Sequence, residues 1–179
     1  LKIYNPNGIY LYDDIYDDGL LSCNTTDKAL EHLTKYPDKI EWEYLSSNYN
    51  DKALELLIKN PNEIDWCMLS SNPAAIHILE KNPDKINWDY LSQNLAAIHL
   101  LKKNPDKIYW RWLLENPADI QLLEQNPDKI VWHWLSRNPK AIHLLEQNLD
   151  KIHWKSLSRN PEAIHLIREA LEQNPDKID

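Results

Sequence analysis

Residues 82–103 read NPDKINWDYLSQNLAAIHLLKK, and this pattern returns along most of the chain. A tryptophan marks the phase of each copy: Trp42, Trp66, Trp88, Trp110, Trp132 and Trp154 follow one another at steps of 24, 22, 22, 22 and 22 residues. The flanking residues keep the same phase, as in NPDKIVWHWLSRNPKAIHLLEQ, which covers residues 126–147. A fixed period with this degree of likeness indicates a tandem array of one structural unit.

Each unit is punctuated by Asn-Pro, and ten of the eleven prolines follow an asparagine. Proline suits the first turn of a helix because the amide that it lacks has no partner there, and asparagine is a favoured N-cap. The pattern therefore predicts two short helices per unit. For the first of them two starts stay open. The helix begins either at Pro83, or at Trp88 with residues 83–86 as a tight turn and Asn87 as the cap.

Helices this short depend on their neighbours for stability. Segments of about nine residues are marginal alone in water, so the stacking of one unit on the next has to stabilise them. The second segment, PAAIHILEK from Pro73, has one apolar side, as a core-facing helix should, formed by Ala75, Ile76, Ile78 and Leu79. Each repeated Trp is followed three residues later by Leu, which predicts that the indoles pack in the core and hold the units together. The expected fold class is all-α, an α-solenoid of tandem two-helix repeats.

The ends of the array depart from the pattern, as terminal repeats do. We expect one repeat domain over residues 15–179, with a degenerate N-terminal cap at residues 15–37, where Asp18 stands in place of the tryptophan. At the other end, four extra residues predict a last helix that is lengthened by one turn. Residues 1–14, LKIYNPNGIYLYDD, are Tyr-rich and off the pattern. They are expected to form a short strand, an extended arm or the tail of an upstream domain.

The motifs NPDKI, WLSRNP and AIHLLEQN together resemble the short Trp-containing tandem repeats that giant DNA viruses of amoebae and their relatives carry in many proteins. The likeness covers roughly residues 36–179. This resemblance implies a repeat scaffold of viral origin, for which we expect a location in the host cytoplasm. It implies no catalytic activity.

The composition narrows the classes of function. A formal net charge of −8 and a pI near 5.3 argue against nucleic-acid binding, which needs a basic face, and against binding to anionic membranes. No apolar run approaches the roughly 20 residues that cross a bilayer. Cys23 and Cys67 lie 44 residues apart without metal spacing, and we interpret them as buried or idle thiols in a reducing compartment.

The sequence offers little for catalysis or metal binding. His77, His99, His143 and His165 share one repeat position, where a row of metal ligands is the alternative to a solvated polar face. Their expected spacing of about 10 Å is too wide for shared ligation, and no His pair has the spacing of a zinc site. The serine that recurs after the Leu, as at Ser92, fits helix capping or back-bonding better than nucleophilic attack. We therefore expect no enzyme, no cofactor and no metal.

Positions at which the repeats differ are better candidates for recognition, since a scaffold position is written alike each time. The residue after each Trp and the residue four places later share one face of the first helix, and this face passes from acidic or neutral to basic along the chain. The alternative is drift on a solvated face. Trp and Arg together are enriched in interface hot spots. The predicted protein-binding residues are Arg111, Trp112, His133, Trp134, Arg137, Lys155 and Arg159.

These residues predict a non-enzymatic scaffold whose basic and aromatic face takes an acidic or aromatic-rich protein partner. Two other roles stay open. One is a structural component of the virion, in which the array stacks end to end or against capsid proteins. The other is a substrate-recognition arm of a larger multidomain protein.

Overall fold

The computed structural model describes residues 18–115 and 120–173, and within these ranges the chain is all-helical with no strand. The predicted all-α class, with two helices per repeat, is confirmed. The helices are α1 Asp18–Ser22, α2 Asp27–Lys35, α3 Trp42–Ser47, α4 Asp51–Lys59, α5 Trp66–Ser71, α6 Ile76–Lys81, α7 Trp88–Leu91, α8 Ile98–Lys103, α9 Trp110–Glu115, α10 Ile120–Glu124, α11 Trp132–Leu135, α12 Ile142–Glu146, α13 Trp154–Leu157 and α14 Ile164–Gln173. Short 3₁₀ turns such as Pro73–Ala75 and Pro105–Lys107 lie between them.

The chain divides into two compact units, Leu1–Ile86 and Asn87–Asp179. The first unit contains α1 to α6, and the second contains α7 to α14. The off-pattern arm predicted for residues 1–14 lies outside the described residues. The expectation of one continuous repeat domain over residues 15–179, stacked as a solenoid, stays a prediction.

The first helix of each repeat begins at the Trp, which is the second of the two starts that the sequence left open. α7 begins at Trp88, and the side chain of Asn87 accepts a hydrogen bond from the Tyr90 amide at 3.2 Å. The Pro-Asp-Lys stretch forms only a turn. In the next repeat an extended residue, Ile108 with φ −70° and ψ 127°, follows the 3₁₀ turn and prevents it from continuing into α9.

The two Asn-Pro asparagines of a repeat have different roles. Asn72 caps a helical start, because its Oδ1 accepts from the Ala74 amide at 3.0 Å and the turn Pro73–Ala75 leads directly into α6. Asn82 closes a helix, because its Nδ2 donates to the Ile78 carbonyl four residues earlier at 2.9 Å. The same closing bond recurs at Asn60, Asn104, Asn126 and Asn148. The prediction that Asn-Pro begins a helix is therefore right for the second segment and wrong for the NPDK stretch.

Leucine side chains form most of the core of both units. The Leu three residues after each Trp is at most 1% exposed, at Leu45, Leu69, Leu91, Leu113, Leu135 and Leu157. The six tryptophans are only half-buried, so the indoles pack at the margin of the core rather than inside it, which corrects the prediction. In the second unit two of these rings are each covered by a lysine from the next repeat. Lys107 Nζ lies 4.6 Å from the ring centre of Trp88, and Lys151 Nζ lies 5.0 Å from that of Trp132.

A buried serine joins each of several repeats to the next. The hydroxyl of Ser46 donates to the Trp42 carbonyl at 2.8 Å and accepts from the Asp65 amide of the following repeat at 3.0 Å. The same two bonds recur at Ser92 with Trp88 and Tyr109, and at Ser136 with Trp132 and His153. The back-bond within the helix was predicted from the sequence, and the bond between repeats was not.

The asparagine that caps the second segment makes another connection between repeats. The Nδ2 atom of Asn72 donates to the carbonyls of Ser46 and Asn48 in the preceding repeat at 3.1 and 3.0 Å. Asn160 bonds in the same way to the carbonyls of Ser136 and Asn138. Both asparagines are at most 3% exposed. A buried amide bonded on both sides fixes the register of neighbouring repeats, because a slip would leave its partners unpaired.

The described residues at both ends of the array are helical, while the cap over residues 15–37 stays a prediction. The helices α1 and α2 lie in this segment, and its Ser22 is fully buried and accepts from the Glu41 amide at 2.9 Å. The predicted cap is thus joined to the first Trp repeat by the same bond that joins later repeats. At the other end α14 has ten residues, whereas α12, its counterpart in the preceding repeat, has five.

Candidate protein-binding face

Trp134 lies between two arginines. The guanidinium carbon of Arg111, on α9, is 4.4 Å from the indole ring centre, and that of Arg137, just after α11, is 5.2 Å away. Arg111 is exposed, while Trp134 and Arg137 are half-buried. A guanidinium that stacks through its face keeps its N–H groups at the edge, where they bind carboxylates in pairs. Three of the seven predicted residues are thus brought together in one cationic aromatic cluster.

Trp112 belongs to a second aromatic group. Its ring centre is 5.9 Å from that of Tyr90 in the preceding repeat and 6.0 Å from that of Tyr109, and both pairs are edge-to-face. Such pairs stabilise by about 0.5–1.5 kcal/mol beyond the burial of their area. The indole is half-buried. Trp112 therefore packs between repeats and leaves part of its surface accessible.

His133 lies in a group that the sequence did not indicate. Its ring centre is 4.4 Å from that of His153 and 4.8 Å from that of Trp134. The hydroxyl of Ser156 lies 3.0 Å from Nδ1 of His153 and 3.3 Å from Nδ1 of His133. The His153 side chain is also the N-cap of α13, since its Nδ1 accepts from the Ser156 amide at 3.2 Å. Both imidazoles are therefore held in place by the protein.

The position directly before each Trp carries a sequence signal that could have indicated His153. The residue before each Trp varies as freely as the residue after it, and the six are Glu41, Asp65, Asn87, Tyr109, Val131 and His153. Ser156, by contrast, stands where the two preceding repeats carry Trp112 and Trp134, and it is buried. The repeat that has Ser156 instead of a Trp at this position is therefore also the one where His133 and His153 meet.

Lys155 and Arg159 are exposed, one on α13 and the other just after it. Across residues 18–115 and 120–173 the structure shows no hydrogen bond, ion pair or ring contact from either side chain to the Trp134 cluster. Lys155 has the repeat position of Arg111, and Arg159 has that of Arg137. Both therefore share the helix face without touching the cluster, and they add positive charge to that face.

The formal charge of the Trp segments changes sign along the chain. The segment EWEYLSSN at residues 41–48 carries −2, from two glutamates. The segments VWHWLSRN at residues 131–138 and HWKSLSRN at residues 153–160 carry +1 and +2 with histidine neutral. Although the chain as a whole carries −8, the second unit therefore presents a locally basic face.

Two of the four histidines of the row, His143 and His165, bond to glutamates. Nε2 of His143 lies 2.8 Å from Glu124, and Nε2 of His165 lies 2.7 Å from Glu146, in each case a residue of the preceding repeat. All four side chains are close to half exposed, and such pairs contribute little to stability. Among the residues that the structure describes, no group of three or more His, Cys, Asp or Glu side chains is placed to hold a metal ion.

The two cysteines are free thiols, Cys67 half-buried and Cys23 exposed, so for Cys23 only the alternative of an idle thiol stays as a prediction. In the described ranges, no helix combines the length and the apolar composition that a membrane span requires.

Comparison of the chain with protein-family models, with curated proteins and with solved structures gives no match in any of the three.

Proposed function

We propose that this protein is a non-enzymatic scaffold whose basic–aromatic face binds an acidic, aromatic-containing segment of a protein partner. The basic–aromatic face is defined by the residues Arg111, Trp112, His133, Trp134, Arg137, Lys155 and Arg159. The observation that supports the proposal is the stacking of Arg111 and Arg137 on Trp134, at 4.4 and 5.2 Å.

The cluster has the chemistry of an interface hot spot. Trp and Arg are over-represented among the residues that dominate binding energy. Here the indole is already ordered by two guanidinium groups, so less side-chain entropy is lost when a partner binds. The exposed charges of Lys155 and Arg159 lie outside the cluster, where they act mainly on the association rate and on its salt dependence.

We also propose that the protein comes from a giant virus and acts in the host cytoplasm. This part of the proposal rests on the resemblance of the repeat motifs. Fractionation of infected cells tests the location. Recovery of the protein in purified particles, and not in the cytosol, would favour the virion component instead.

A charge-reversal experiment tests the face directly. Fluorescence anisotropy with labelled peptides rich in Asp, Glu and Tyr measures affinity for wild type and for Arg137→Glu/Arg159→Glu. We expect the variant to bind at least about tenfold more weakly, a difference of about 1.4 kcal/mol. Binding to wild type should also weaken as salt rises, because exposed charges are screened.

The matched control is Lys103→Glu/Arg168→Glu, which changes the net charge equally on the second-segment helices α8 and α14. It should bind like wild type. Equal affinity of all three proteins for the acidic peptides, or equal loss in both variants, would contradict the proposal.

A further inference from the structure

We propose that the occupant of the basic–aromatic face is residues 10–18 of a second copy of this chain. The inference rests on the proposed function and names the partner. It pairs the basic–aromatic face, which the structure describes, with a segment of the same chain that is chosen for its composition.

The composition of residues 10–18, YLYDDIYDD, is that of the expected ligand. The segment holds four aspartates, three tyrosines and no basic residue, so its formal charge is −4. The face carries four formal positive charges, from Arg111, Arg137, Lys155 and Arg159. Glu115, at the repeat position of Arg137 and Arg159, lowers the local sum to +3, which is still opposite in sign to the segment, and aspartate carboxylates suit the paired N–H edges of arginine.

The aromatic residues also match. Trp112 already contacts two tyrosines of its own chain edge-to-face, at 5.9 and 6.0 Å. Added tyrosines can make the same contact with the accessible parts of Trp112 and Trp134, and tyrosine and tryptophan are the aromatic residues most enriched in interfaces.

The lengths are compatible as well. The eight residues before α1, 10–17, would span about 27 Å in extended form. Helices that pack side by side lie about 8–10 Å apart, so α9, α11 and α13 of one unit extend over about 20 Å between the outer two axes. One segment can therefore reach charged residues on all three helices at once.

The position of the segment in the chain favours a second copy. Residue 18 is the first residue of α1, which packs on α2 and α3, so no linker separates the acidic segment from the cap. The acidic Trp segment at residues 41–48 follows directly after the cap. Two copies can each place this segment on the basic–aromatic face of the other, which is the reciprocal arrangement of a twofold dimer.

Sedimentation of the full chain over a range of concentrations tests the inference with two variants. The segment variant is Asp13→Asn/Asp14→Asn/Asp17→Asn, and the face variant is Arg111→Gln/Arg137→Gln/Arg159→Gln. Wild type should dimerise, with at least a tenfold weaker dimer at high salt, and each variant alone should be monomeric at the concentration where wild type is a dimer. An equal mixture of the two variants should regain a weaker dimer, because one intact contact of two is restored. The control Asp84→Asn/Asp106→Asn/Asp150→Asn has the same charge change and should dimerise like wild type.

A labelled peptide of residues 9–19 separates the two proposals. We expect it to bind the segment variant and not the face variant. If unrelated acidic, Tyr-containing peptides bind and this peptide does not, the second-copy inference is overturned and the proposed function stands. If neither binds, both are overturned. A wild type that stays monomeric at all concentrations overturns the inference, and peptide binding to the segment variant alone would then assign the segment to its own chain.

Discussion

Ser136 and Ser158 occupy the same repeat position in different surroundings. Ser136 is fully buried, and its hydroxyl donates to the Trp132 carbonyl at 2.7 Å and accepts from the His153 amide at 3.1 Å. Ser158 is exposed, and its hydroxyl donates to the Lys155 carbonyl at 2.9 Å. A comparison of the two serines therefore distinguishes the effect of losing the bond between repeats from the effect of losing a hydroxyl group alone.

Ser136→Ala should lower the free energy of unfolding by about 1–2 kcal/mol, because it leaves the part-buried His153 amide without its acceptor. Ser158→Ala should change the same quantity by less than about 0.5 kcal/mol. Urea denaturation of both variants beside wild type measures the difference. Equal losses in the two variants would show that the hydroxyl does not hold the repeats together.

At the residue scale, amphipathic periodicity predicted the leucines of the core and misplaced the tryptophans. An indole is large and is rarely buried completely, whereas serine and asparagine fit where the backbones of two repeats approach closely. Asn72 and Ser46 bond to backbone groups in a neighbouring repeat. The sequence of one repeat does not show those partners, so their burial could not be inferred from it.

Helices α2 and α4 are joined by an exposed polar group. Nδ2 of Asn50 donates to the Asp27 carboxylate at 3.0 Å, and Lys52 Nζ lies 3.2 Å from it. The hydrogen bond from Asn50, followed by the bond and charge of Lys52, holds the pKa of Asp27 below its usual value. The ionised carboxylate is therefore favoured more in the folded chain than in the unfolded one.

The lowered pKa fixes the sign of a pH effect. Asp27 stabilises the fold above its unfolded pKa of about 4, and this contribution is lost as the pH falls through the lower folded value. Asp27→Asn should therefore melt at a lower temperature than wild type near neutral pH, and the difference should shrink in acid. Thermal melts at a series of pH values measure it. A constant difference across the series would contradict the linkage.

At the scale of elements, the sequence predicted which segments are helical but not where the first of them begins. Pro-Asp-Lys looked like a helix start because proline and aspartate both favour a first turn. The extended backbone at Ile108, with φ −70° and ψ 127°, separates the two pieces instead. That choice depends on packing of the isoleucine, which is 7% exposed, and local propensity does not report it.

At the scale of the whole molecule, stability should be distributed by repeat. Asn72→Ala removes a cap and two bonds to the preceding repeat, and should cost about 2–4 kcal/mol. Because the bonds of Asn72 lead to the adjacent repeat, hydrogen exchange should accelerate in α3 to α6 more than in α11 to α13. Asn82→Ala is the control, since Asn82 bonds to the Ile78 carbonyl of its own repeat. Uniform acceleration along the chain would rule out repeat-by-repeat stability.

The seven candidate residues stay a prediction as a binding site, and the structure shows a grouping among them that the sequence did not indicate. Arg111 follows one Trp directly and Trp134 comes two places after the next, so the contact joins two repeats. The same pair of positions in the following junction holds His133 and Ser156, which lie 3.3 Å apart. A helical face drawn for one repeat cannot show such a pair. Lys155 lies outside the cluster. In its own repeat Ser156 stands two places after Trp154, at the position where the two preceding repeats carry a Trp.

Leu114 occupies the position of the bridging serine in the repeat that begins at Trp110, and it is fully buried. The step from α9 to α11 therefore lacks the hydroxyl link described for the other junctions, and keeps the bond from Asn138 to the Leu114 carbonyl at 2.9 Å. Arg111 and Trp134 stand on opposite sides of this same step. A partner that contacts both of them connects α9 with α11 at a junction that has leucine in place of the bridging serine, so binding there should also make this junction more rigid.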